Sequence, residues 1–63
     1  MCLSTVYRGE IAEEGSRLAE YITFIEIDGD NIRLTGLTGE EMSVRGAIRN
    51  IDLIGGRVFI DTN

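Results

Sequence analysis

A chain of 63 residues makes one domain that buries only about 60% of its unfolded surface, so a further support such as a disulfide, a metal or a second copy is looked for. Eleven acidic residues against six arginines and no lysine give a net charge of −5, which disfavours nucleic acid and anionic membranes as partners. Histidine is absent, which removes the commonest general base and metal-binding side chain, and few catalytic schemes survive that inventory.

Short segments rich in β-branched residues and separated by glycine predict an all-β fold. Cys2 to Arg8 reads as a first strand, with Leu3, Thr5 and Tyr7 on one face and Cys2, Ser4 and Val6 on the other. Gly9 ends it. Glu10 to Ser16 reads as a solvated loop with room for one helical turn over Glu10 to Glu14. Leu18 to Asp28 is too densely apolar for clean alternation and predicts a long, curved strand with a bulge midway. Asp28-Gly29-Asp30 is a hairpin turn, and Ile32 to Thr35 returns as a strand. Thr38-Gly39-Glu40 makes the next turn. Met42 and Val44 alternate with Ser43 and Arg45 in one element, and Ala47 to Leu53 forms another, with Ile48, Ile51 and Leu53 as core residues. Gly55-Gly56 predicts a tight I′ turn into the closing strand, Arg57 to Asp61. Residues 1–63 thus read as a single small barrel of about five to six strands, SH3-like or OB-like.

Most polar clusters have an ordinary structural reading. Asp28-Gly29-Asp30-Asn31 lacks the twelve-residue spacing and terminal glutamate of a calcium loop. Glu40 and Glu41, as strand neighbours, point to opposite faces and cannot flank one bond. The arginines Arg8, Arg17, Arg33, Arg45, Arg49 and Arg57 are dispersed among acids and read as surface ion pairs; an RNA-binding or protein-binding face would need Arg33, Arg45 and Arg49 to converge. Of the aromatics Tyr7, Tyr21, Phe24 and Phe59, the two phenylalanines read as core.

Cys2 is the only cysteine, which excludes a disulfide within the chain and suits a reducing compartment. With no apolar run near the roughly 20 residues of a membrane span and no basic, apolar leader, the expectation is a cytoplasmic protein. On composition alone Cys2 reads as a small buried hydrophobe at a strand start. Its position, however, gathers a thiol, an amide nitrogen and the terminal amine within two residues. Thiolate and deprotonated nitrogen donors favour square-planar geometry, which points to Ni(II) or Cu(II) rather than zinc. One chain fills four such positions poorly, whereas a two-fold homodimer would supply two Cys2 thiolates and two backbone nitrogens. An alternative reading makes Cys2 an N-terminal nucleophile, as in class II glutamine amidotransferases; those continue with glycine and are far longer, whereas Leu3 follows here.

The opening MCLSTVY, the central IEIDGDNIRLTGLTGEE and the closing IRNIDLIGGRVFI together resemble the CooT family of small nickel-binding proteins over nearly the whole chain. The resemblance implies an SH3-like barrel that can dimerise and is not an enzyme. It further implies Ni(II) bound through Cys2, with the backbone nitrogen of Met1 or Cys2 as companion donor, for supply to carbon monoxide dehydrogenase or another nickel enzyme. Similarity of the barrel to RNA-binding folds is analogy only, and the charge of −5 argues against that role.

Overall fold

The computed structural model describes residues 3–63 and is all-β apart from one 3₁₀ turn at Glu14–Ser16. Five strands, β1 (Ser4–Arg8), β2 (Arg17–Asp28), β3 (Asn31–Gly36), β4 (Glu41–Asp52) and β5 (Arg57–Thr62), close into a barrel in chain order. Consecutive strands pair antiparallel, and the seam between β1 and β5 is parallel, Thr5 opposite Arg57 and Val6 opposite Val58. The parallel seam follows from the odd strand number. In an antiparallel meander the fifth strand runs in the direction of the first, so only a parallel pairing can close the ring.

Two long strands each serve two neighbours. The first half of β2 pairs with β1 and its second half with β3, from Ile25 opposite Leu34 to Asp28 opposite Asn31. At the changeover Tyr21 adopts φ 58°, and the register with β3 slips between Ile22 and Phe24, which is the bulge expected in this segment. β4 behaves alike: residues 41–45 pair with β3 and residues 46–52 with β5. The two elements predicted on either side of Gly46 are therefore one bent strand. Gly46 does not break it, because the glycine serves a close approach: a Cβ there would lie 2.2 Å from the carbonyl oxygen of Asp61.

Alternation sends Val6, Ile22, Ile32, Leu34, Val58 and Ile60 into the interior, with Leu18, Ala19, Ile25, Val44 and Ile48 packed around them. Burying each such aliphatic side chain contributes about 1.5–3 kcal/mol. Ile51 and Leu53, predicted as core, are 56% and 83% exposed. They continue β4 toward and past its end, where no strand among the described residues covers them. Phe24 is likewise no core residue, being 60% exposed just after the bulge, and Phe59 is half-buried, stacked on Tyr7 with ring centroids 5.6 Å apart.

The turns refine the reading. Gly29, at φ 64°, takes the first position of the two-residue turn between Asp28 and Asn31. The β4–β5 connection is longer than the predicted I′ turn: four residues, Leu53 to Gly56, separate the paired Asp52 and Arg57, and only Gly56 of the glycine pair has positive φ. Glu40 sits in the β3–β4 turn rather than in a strand. Its carboxylate accepts the Thr38 hydroxyl at 2.8 Å and the Thr38 amide at 3.1 Å.

Two expectations follow. Gly46→Ala should lower the urea midpoint by an amount equivalent to about 2–3 kcal/mol, with the m-value unchanged; an unchanged midpoint would show that β5 can yield. The Thr38 hydroxyl, followed by the backbone amide of Glu40, holds the Glu40 carboxyl below its ordinary pKa. Because the folded value is depressed, the stabilisation is present above the unfolded pKa and is lost as pH falls through the folded one. In an NMR titration Thr38→Val should move the Glu40 midpoint up toward the ordinary value.

Candidate metal site and the surface beside it

Cys2 and Met1, the residues to which the sequence assigns metal binding, lie outside the described residues. The structure does define the strand end that follows them. Ser4, the first residue of β1, pairs with Ile22 of β2, and the Thr5 amide donates to the Gly56 carbonyl at 2.8 Å. Gly56, at φ 67°, lies so near that a Cβ on it would stand 3.0 Å from the Leu3 carbonyl oxygen. The parallel seam thus anchors the start of β1 between β2 and the β4–β5 turn.

A groove of about 240 Å³ opens beside this strand end. Ser4, Ile22, Val58 and Ile25 line it together with Thr23, Phe24, Ile51 and Leu53, and none of these carries a charge. It exists because β1 pairs with β2 only as far as Ile22, while β2 runs on to Asp28 with β3 as its partner among the described residues. Sequence reading missed the groove by assigning Phe24, Ile51 and Leu53 to the core. A signal was present: Leu53 and Ile54 stand directly before Gly55-Gly56, where turns ordinarily carry Asn, Asp, Ser or Gly.

Among the described residues no group of three or more Cys, His, Asp or Glu side chains could hold a metal ion. The Asp28–Asn31 segment is a hairpin turn, as expected. Of its carboxylates, Asp30 is committed to Arg45 at 2.8 Å; Glu26, earlier on β2, pairs with Arg33.

The arginines do not form a basic face. Arg17 pairs with Glu14 and Glu20, Arg33 with Glu26, Arg45 with Asp30, Arg49 with Glu10 and Asp61, and Arg57 with Asp52. Exposed pairs like these contribute about 0–1 kcal/mol each. Their larger consequence is that the three arginines an RNA-binding face would need, Arg33, Arg45 and Arg49, are each matched by a carboxylate. The Arg49 pKa is raised by its hydrogen bond to Asp61 and by the charges of Asp61 and Glu10. Single-stranded RNA should therefore show no salt-sensitive binding in fluorescence anisotropy at low ionic strength; affinity that falls with added salt would contradict this assignment.

Comparison with known proteins agrees with the resemblance carried by the three sequence segments. The profile of a family described as CO dehydrogenase accessory protein CooT matches residues 1–61. A protein of Methanothermobacter thermautotrophicus bearing the name "Uncharacterized protein" is 36% identical over 62 residues, which cover 98% of this chain and 91% of its own. With both the profile and the relative extending over essentially its whole length, the chain belongs to the CooT family of carbon monoxide dehydrogenase accessory proteins, an accessory rather than a catalytic family.

Proposed function

We propose that this protein is a nickel-binding accessory protein of the cytoplasm, metallochaperone-like, that binds Ni(II) through Cys2 and passes it to carbon monoxide dehydrogenase or another nickel enzyme. The observation that carries the reading is the donor inventory. In a CooT-family chain without histidine, and with no metal-ligating cluster among the described residues, Cys2 is the one thiol available to a soft or borderline metal ion. Nickel is the cargo here. The backbone nitrogen of Met1 or Cys2 is the second donor, and a homodimer doubles the set to two thiolates and two nitrogens.

Cys2 must be deprotonated to bind, so protons compete with the metal and affinity should fall as pH is lowered.

Titration of Ni(II) into wild type and Cys2→Ser tests the proposal. Loss of a metal's own ligand should exceed the 10–100-fold loss typical of outer-shell substitutions, so affinity should drop by more than roughly 100-fold. A thiolate-to-nickel charge-transfer band should appear in the wild type only, and native mass spectrometry should show one nickel per two chains. Equal affinity in the two proteins would end the nickel assignment.

A further inference from the structure

Tyr21 is the single non-glycine residue with positive φ among the described residues, at 58°. Glycine or asparagine enters this left-handed region readily and a bulky residue only against strain, so the bulge in β2 could be built more easily from either. What tyrosine adds is its ring. That ring does little for the core, since Tyr21 is 58% exposed while its neighbour Ile22 is buried.

The backbone fixes what lies around the ring. The Leu37 amide donates to the Tyr21 carbonyl at 2.9 Å, and Ile22 lies opposite Gly36, so the bulge is tied to the β3–β4 turn. Leu37 in that turn is 53% exposed as well. The Gly36 amide in turn donates to the Glu40 carbonyl at 2.8 Å, and the Glu40 carboxylate lies in the space a Cβ on Gly36 would fill. An aromatic ring, an aliphatic side chain and a carboxylate therefore meet at one corner of the barrel. Among the described residues that carboxylate accepts only from Thr38, a neutral partner, while Arg17, Arg33, Arg45, Arg49 and Arg57 are paired with other acids.

We propose that this corner docks the client enzyme through one of its basic side chains, an arginine or lysine laid over the Tyr21 ring and paired with Glu40. The inference rests on the client reading above and adds the surface that meets the client. An aromatic face attracts a cation through its quadrupole, an ionised carboxylate adds a charge-assisted hydrogen bond, and Leu37 offers apolar surface to the methylene stem. The charges also decide between occupants. A polyanion would be repelled by Glu40 and by the net charge of −5. A second copy fits poorly, because five of its six arginines are already paired within their own chain and it has no lysine. A different protein with an unpaired surface cation fits both the ring and the carboxylate.

Biolayer interferometry of the full-length protein against nickel-free carbon monoxide dehydrogenase, at low and high salt, tests the proposal. Wild type, Cys2→Ser and Tyr21→Phe should bind the enzyme alike, and more weakly as salt rises. Tyr21→Asn tolerates the left-handed backbone, and Glu40→Gln keeps an oxygen that accepts from Thr38. Each should retain the wild-type far-UV spectrum and Ni(II) affinity yet bind the enzyme roughly fivefold or more weakly. If both bind it as tightly as wild type, the docking corner is overturned and the client reading stands. A wild type that does not bind the enzyme overturns both, and so does a pair of variants altered only in their sedimentation as dimers, which would make a second copy the occupant. The nickel assignment is judged separately, by the metal affinity of Cys2→Ser.

Discussion

Five strands enclose six aliphatic side chains because β2 and β4 each bend to serve two neighbours, and everything distinctive about the surface follows from that sharing. Without the bends the chain would be a flat meander with two open edges. With them the last strand meets the first, and the odd strand count makes the closing seam parallel. A parallel seam sets the starts of β1 and β5 at the same end of the barrel. The β4–β5 turn, which feeds β5, is thereby placed against the start of β1, as the hydrogen bond from Thr5 to Gly56 records.

The same sharing produces the groove. A strand that changes partners is covered by one neighbour only up to the changeover, and β2 outlasts β1 by the residues after Ile22. Phe24, just past that point, has no described strand over it and stays exposed, while Ile25 still packs on the core. Hence the barrel ends in an uncharged recess beside the β4–β5 turn, while acid–arginine pairs lie elsewhere on the described surface. Those pairs add little stability, yet among the described residues they match nearly all the arginine charge on a chain that is already acidic, which argues against a polyanion partner.

The proposed role of the chain's single thiol rests on family membership and donor chemistry together. Family membership assigns an accessory role to carbon monoxide dehydrogenase. The composition removes histidine, and the described carboxylates do not gather into a metal-ligating cluster. In the proposed carrier role such sparseness is useful, because a cargo ion held by few protein donors can be released to a client that offers more.

Alternation and turn chemistry are local properties, so they were legible in the sequence: the all-β class, the bulge in β2 and the Asp28–Asn31 hairpin. Long-range placement was not legible. Gly46 read as a break because a glycine between two alternating runs is indistinguishable from a turn until the Asp61 carbonyl that crowds it is in place. Ile51, Leu53 and Phe24 read as core because periodicity reports which way a side chain points and not whether another strand lies opposite. The sequence by itself determined a small all-β chain with a single cysteine and an acidic balance of charge. Only the tertiary structure decided which apolar residues are buried and which form an exposed face beside the start of β1, since burial depends on strands distant in the chain closing over them.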